Sequence, residues 1–430
     1  MSHGGISLTM LPVVQKWDCH TCGSCCREYR VTLSDDERAK VSALSQGMQD
    51  ILNGRPAISS SGWWWNRIFF LTHSKNGSCI FLGDSGRCAI HEKFGYASKP
   101  LPCRLFPWVL VPQGNKWAVG VRFACPSAAQ NKGRPIPAHT LELETFASEL
   151  VQRENILPKQ DGFWGESPSL DGYYPTPWDF FHVVRGILLE GIERASSTAS
   201  GLVRCITWIE LMRSTRGWHK LSLEAFKDLS QLLWEQAVRD CNIEDGREVT
   251  NPDWLSLLVF RQAAAVYTRK DHGPKQGIAR TGIFARLSAI LRFTWGSGKV
   301  PRLHDWVPDS DFKSGERADF SLAIESEQAL LRYYKIKITS GQFAGTVHHR
   351  YSVWDGFASL AMTYPILCWI TRLGAIGQEH ANLIKALSIV DDHFGFNRVL
   401  GGFSHRFFLS VLQGNGRLKH LIRWYSPDRH

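Results

Sequence analysis

The sequence predicts an α+β chain, with a small cysteine-rich module carrying short β-hairpins fused to a mostly α-helical domain. Three observations lead there. Of the 11 cysteines, eight fall between Cys19 and Cys125, and only Cys205, Cys241 and Cys368 lie beyond. Residues 17–126 are rich in Gly, Pro, Cys and Trp, with short apolar runs between turn residues. From Thr140 onward, apolar residues recur at three- and four-residue spacing, the period of a buried helix face. The expected division is a module over 17–130 and a helical domain over 138–425, with Pro135 and Pro137 marking the linker. At 430 residues the chain can bury a sizeable core without covalent staples, so the cysteines are not needed merely to hold it together.

Within the module, Ser34 followed by Glu37 three residues on reads as a helix cap. Trp63-Trp64-Trp65 and Ile68 to Leu71 read as a strand, with the tryptophans expected in a core or at the module interface. A first hairpin is expected from Cys79 to Leu82, a turn at Gly83 to Gly86, and Arg87 to Ile90. A second runs from Leu105 to Pro112, turns at Gln113-Gly114-Asn115 and returns from Lys116 to Ala124, with Trp108 and Trp117 facing across it. In the helical domain the periodicity predicts helices over 140–156, 177–195, 200–214, 222–240, 253–270, 280–294, 319–338, 353–373, 378–390 and 395–413. Asn251-Pro252-Asp253 reads as a helix start. Residues 159–176 and 296–318 are Gly/Pro-rich and read as loops.

The chemistry sits in the cysteines. In Cys19-His20-Thr21-Cys22-Gly23-Ser24-Cys25-Cys26, spacing by three lets a turn point successive sulfurs at one metal, and Gly23 permits a positive φ. Adjacent side chains diverge, so Cys25 and Cys26 are not expected to serve one ion in the same way. Cys79 and Cys88 come from the first hairpin, Cys103 from a proline-stiffened loop, and Cys125 from the end of the second hairpin. The expected metal ligands are therefore Cys19, Cys22, Cys25, Cys26, Cys79, Cys88, Cys103 and Cys125. Soft thiolates select zinc, iron–sulfur or copper(I) over magnesium or calcium. His91 is a further candidate ligand or a helix cap. A purely structural zinc site or a disulfide scaffold are the competing readings.

The same residues resemble the CxxCxxCC cysteine-cluster family of zinc- or iron-chelating proteins, in particular its longer branch similar to flagellin lysine-N-methylase. The resemblance rests on Cys19-x-x-Cys22-x-x-Cys25-Cys26, Cys79, Cys88-x-Ile90-His91, Gly95, Lys99-Pro100-x-x-Cys103-Arg104-x-Phe106-Pro107 and Cys125-Pro126. It covers about the first 130 residues. Lys99 departs from the arginine common in relatives, keeping the charge but losing a planar fork. The resemblance implies an iron–sulfur cluster, of the 4Fe-4S kind, or zinc. It also implies methyl transfer to a protein lysine, with S-adenosylmethionine as the donor. Non-catalytic metal binding with a helical partner-binding domain, or electron carriage, are the alternatives. No Gly-rich donor loop after a strand is legible; Leu400-Gly401-Gly402-Phe403 sits in a helical stretch. The radical-donor pattern Cys-x3-Cys-x2-Cys is also absent from the sequence.

Other expectations follow from charge and pattern. The net charge is +10, with 14 Lys+Arg against 8 Asp+Glu in residues 1–126. Arg27, Arg30, Arg87 and Arg104 stand beside the cysteines and are expected to offset thiolate charge; no Lys/Arg run suggests a nucleic-acid arm. Met1 to Lys16 shows no secretory pattern and no run is long enough to span a membrane, so a cytoplasmic protein with reduced thiols is expected; a protein substrate or partner is what the resemblance implies. His348-His349 and His405-Arg406 are candidates to line a polar pocket, though the adjacent His348-His349 pair is rather expected exposed on a loop; Glu325, Glu327, Asp355, Asp391 and Asp392 are expected as solvated charges, with a general base among them as the alternative. Cys205, Cys241 and Cys368 are expected as buried small hydrophobes.

Overall fold

The computed structural model describes residues 7–9, 15–75, 77–158, 164–244, 249–268, 282–301, 303–304, 306–316 and 320–427. The strands are β1 (Leu8–Thr9), β2 (Lys16–Trp17), β3 (Ile58–Ser61), β4 (Ile68–Leu71), β5 (Trp108–Gln113), β6 (Lys116–Val121) and β7 (Arg134–Pro135). They form three small sheets, ordered β1-β6-β5, β2-β7 and β3-β4. The first part of the chain also holds short helices α1 (Ser24–Glu28), α2 (Asp35–Gln46), α3 (Gln49–Leu52), α4 (Ala89–Phe94), α5 (Leu101–Leu105) and α6 (Pro126–Ala129). Longer helices follow: α7 (Thr140–Glu154), α8 (Trp178–Glu193), α9 (Thr198–Ser214), α10 (Leu223–Glu244), α11 (Trp254–Tyr267) and α12 (Gly282–Trp295). The last are α13 (Ile324–Thr339), α14 (Val353–Leu373), α15 (Glu379–His393), α16 (Phe403–Gln413) and α17 (Arg417–Tyr425). The α+β class is as expected.

Local chemistry explains the element ends. Ser34 accepts from the Glu37 N–H while the Glu37 side chain takes the Ser34 N–H, a complete capping box that starts α2. Asp253 accepts from the Ser256 N–H at 2.8 Å and starts α11. The β5–β6 turn places Gly114 at φ +68°, where a side chain would be strained. The expected helix over 395–413 is instead broken: a 3-10 turn covers Arg398–Gly401, and Gly402 caps α16. The sequence reading missed α17. Its buried Leu418, Leu421, Ile422 and Tyr425 fall on one helical face, but the element is only nine residues long and follows two glycines.

Two apolar cores result. The larger joins helices α7 to α17 to the β5–β6 hairpin. At its centre α14 buries 20 of its 21 residues, leaving only Asp355 out, so it is covered on every face. No described helix is long and apolar enough to cross a membrane. The smaller core gathers Val41, Met48, Leu52, Ala57, Leu71, Cys79, Ile80, Phe81, Ala89 and Ile90. The packing thus divides residues 17–130 between both cores: α2, α3, β3, β4 and α4 build the small one, while β5, β6 and α6 are inlaid in the helical body. Helix α7 ties the two, through an Arg104–Glu149 ion pair and Arg153, which reaches Glu37 at 3.4 Å.

Several expectations need correction. Residues 79–90 make no two-stranded hairpin. They form a loop with one bridge, Leu82 to Cys88, and Ala89 onward turns helical. Trp108 pairs with Val121, and Trp117 with Pro112, so the two indoles do not face each other. Trp108 packs on Trp17 at 5.0 Å instead, and Trp117 on Trp164 at 5.8 Å. Trp63, Trp64 and Trp65 are neither strand nor core. They form the tip between β3 and β4, 71%, 81% and 65% exposed. His348 is buried rather than exposed, and His405 is buried too, because α14, Tyr267 and Phe394 pack over them. Cys205, Cys241 and Cys368 are buried as expected.

Candidate metal centre and the cleft beside it

The cysteine cluster is assembled from short segments, each held by its own local device. Gly23 adopts φ +67° at the N-cap of α1, where a Cβ would also press on Arg27 at 2.9 Å, so the Cys22-to-Cys25 turn requires glycine. Helix α1 then carries Cys25 and Cys26, whose sulfurs lie 4.0 Å apart. The Cys26 carbonyl accepts from the Cys79 N–H at 2.7 Å, which docks the Cys79 loop on α1. Cys88 caps α4, and Cys103 sits in α5 behind Pro102. The Leu101 N–H donates to Glu37 at 2.7 Å, so the residue that caps α2 also positions α5.

Electrostatics sort the thiols into groups. Burial pushes Cys79 up to about 12, and the neighbouring Cys103, Cys88 and Cys25 add to the shift. Cys103 is likewise pushed up to about 12 by burial, with Cys88 and Cys25 contributing and Lys99 opposing. Cys25 is raised mainly by its contact with Cys26. Cys25, Cys26, Cys79, Cys88 and Cys103 therefore form one neighbourhood. Cys125 is raised by burial and feels Cys22, while Cys19 acts on Tyr96. Cys19 and Cys22 are exposed.

The expected arginine shell is different in the structure. Arg104 pairs with Glu149, Arg87 approaches Glu92 at 4.0 Å, Arg30 lies over Phe70, and Arg27 donates to the Cys22 carbonyl. Lys99 is the cation that acts on Cys25 and Cys103. His91 is exposed on α4, its ring 5.6 Å from Tyr96. Among the described residues no three His, Cys, Asp or Glu side chains close into a ligand set. The donor chemistry fits a soft metal all the same: thiols bind metal by releasing their protons, and the Lys99 cation beside Cys25 and Cys103 favours the thiolate form.

A cleft of about 660 Å3 opens beside this cluster. One wall is Ser24, Glu28 and Tyr29 from the helix that carries Cys25 and Cys26; the floor includes Arg122, Ala124 and Pro126, on either side of Cys125. The far wall is α15 and the turn after it, with Lys385, Asp392, His393, Phe396 and Arg398. His304 and Trp306 close one end. Arg122 pairs with Asp392 at 3.0 Å and lies over the rings of Phe396 and Tyr29, at 3.8 and 4.8 Å. Lys385 lies over Trp306 at 5.4 Å.

Behind the cleft, α15 pins the Cys125 segment. Asp391 accepts from the N–H of Phe123 at 2.5 Å and from that of Ala124 at 3.3 Å. Its other oxygen meets Lys337 at 2.5 Å, and both side chains are fully buried. Lys337 also donates to Gln342 and lies between Tyr333 and Phe394. Burial lowers the Lys337 pKa while Asp391 opposes that fall. Asp391 and Asp392 are thus structural partners of the cysteine region, not solvated charges. Their signal in sequence was faint: two adjacent acids near a helix end, and a lone Lys337 among Tyr333-Tyr334 and Ile336-Ile338.

Residues 18–126 match the model of the CxxCxxCC family, whose description is "Putative zinc- or iron-chelating domain". The match spans about a quarter of the chain and supports metal binding by this region. No curated protein and no solved structure matches the chain.

Proposed function

We propose that the cysteine region chelates an iron–sulfur cluster, and that the cleft beside it is the reaction site of an enzyme acting on a protein side chain. Cys25, Cys26, Cys79, Cys88 and Cys103 are the first candidate ligands, with Cys19, Cys22 and Cys125 as a second set. When bound, such a cluster supplies one-electron chemistry. The observation that carries the enzyme reading is the cleft itself. It lies between the cysteine segments and the helical body, and polar groups converge in it.

Its lining is mixed in charge. Glu28 and Asp392 are acidic, Arg122, Lys385 and Arg398 are basic, and the faces of Tyr29, Phe396 and Trp306 carry Arg122 and Lys385. The resemblance to flagellin lysine-N-methylase makes N-methylation of a protein lysine, with S-adenosylmethionine as donor, the reaction to test first.

The test begins with iron, sulfide and zinc analysis and a visible spectrum on anaerobically purified full-length protein. About four iron and four sulfides, with a band bleached by dithionite, support the cluster. Zinc without colour overturns it in favour of a structural site. Incubation with lysine-bearing proteins and labelled S-adenosylmethionine follows; no transfer from fully loaded protein removes the methylation reading, and a dithionite-responsive spectrum without it favours an electron carrier.

A further inference from the structure

We infer that the β3–β4 tip is a docking element for an anionic lipid bilayer surface. Trp63, Trp64 and Trp65 stand consecutively at the tip, and Ile68 beside them is 47% exposed. Three adjacent exposed indoles and an exposed isoleucine form an apolar patch that water disfavours.

The turn that presents them is built, not slack. The Asn66 N–H donates to the Trp63 carbonyl at 2.9 Å. Gly62 sits at φ +99°, and a Cβ there would meet the Asn66 carbonyl oxygen at 2.2 Å. Trp63 and Trp65 stack at 5.2 Å with 16° between planes, and Trp64 meets Trp65 edge-on. The indoles hold one another outward as a block.

Charge says what the block meets. From Ile51 to Gly83 the chain has no Asp or Glu, while Arg55, Arg67 and Lys75 are cationic. Arg67 flanks the tip; farther back Arg30 lies over Phe70 of β4, and Arg38, paired with Asp35, lies over Phe69. Arg30, Arg55 and Arg67 are exposed, and no carboxylate pairs with them among the described residues. Indoles favour the headgroup level, where the ring is partly apolar and its N–H finds an acceptor. Arg67 at the tip then meets lipid phosphates. Single-stranded nucleic acid suits this tip less well. Trp63 and Trp65 are stacked on each other, so no base inserts between them, and Ile68 offers a base no hydrogen bond.

The experiment is sedimentation of the full-length chain with vesicles of equal phosphatidylcholine and phosphatidylglycerol, and with phosphatidylcholine alone. Binding to the anionic vesicles, weakened by salt, is expected. Trp64→Ser should weaken it by about tenfold, and Arg67→Gln by about fivefold. These side chains are exposed, so metal content and helical circular dichroism should not change. Failure to bind anionic vesicles overturns the inference, as does equal binding when all three tryptophans are replaced by serine. Tip-dependent capture of a single-stranded oligonucleotide in place of vesicles also overturns it.

Discussion

The helical body and the small cysteine core solve the same problem with different means. In the body, α14 alone buries 20 residues, and aromatic contacts such as Phe260 on Tyr425 at 4.5 Å fill the space around it. The core around Cys79 has ten buried residues, two of them alanine and one a cysteine. Apolar burial scales with such counts, so the body can stand on packing while the small region has little to offset its ordering entropy. A neutral buried thiol packs as a small hydrophobe in either region, so the contrast lies in the number of apolar residues each can bury. The comparison teaches that the small region has the more to gain from a bound metal, while Cys125 already stands in the larger core.

The largest expected effect breaks or confirms that contrast. Chelation, or Cys103→Ser, should unfold the small core with a loss on the order of 10 kcal/mol of metal-linked stability. Hydrogen exchange should rise across residues 31–103 while α14 stays protected; uniform exchange in both regions would refute the division. Next is the buried pair that joins the body to the Cys125 segment. Lys337→Met strands Asp391 without a cation and should cost about 3–5 kcal/mol in denaturant unfolding of the body. Adding Asp391→Leu should recover part of that loss.

Acid should act on the body through its histidines. Burial, with the charges of His349 and Arg406, pushes His405 down to about 4, and His348 is lowered well below 6.5. Both folded values lie beneath the unfolded one, so their stabilisation is present above pH 6.5 and is lost as pH falls toward 4. His405 alone accounts for about 3 kcal/mol, readable as a falling melting temperature of the body over that window; His405→Phe should remove that share and leave the part due to His348. Smaller effects sharpen the boundary. Cys205→Ala should cost about 1 kcal/mol and leave metal content unchanged. Ser34→Ala should remove about 1 kcal/mol from α2 alone.

Much of this was legible in the residues because its causes are local. Apolar spacing marks α8, α9, α14 and α15, since a helix face repeats every three to four residues whatever it packs on. Ser34 and Asp253 announce caps because a cap bonds a neighbour only two or three residues away. The eight clustered cysteines and the CxxC turn at Gly23 declare soft-metal chemistry because the donor type itself selects the metal.

Only the tertiary structure decided what depends on distant partners. The Trp63-Trp64-Trp65 run has the composition of a core strand, yet Gly62 folds it into a turn and the tip has nothing packed over it. Asp391 resembles any surface carboxylate until Lys337, 54 positions earlier, and the Phe123 N–H, 268 positions earlier, are brought against it. The sorting of Cys25, Cys79, Cys88 and Cys103 from Cys22 and Cys125 obeys the same rule. Residue type and short spacing determine which chemistry is available; long-range packing determines which groups meet, because burial and Coulomb interaction depend on distance in space and not along the chain.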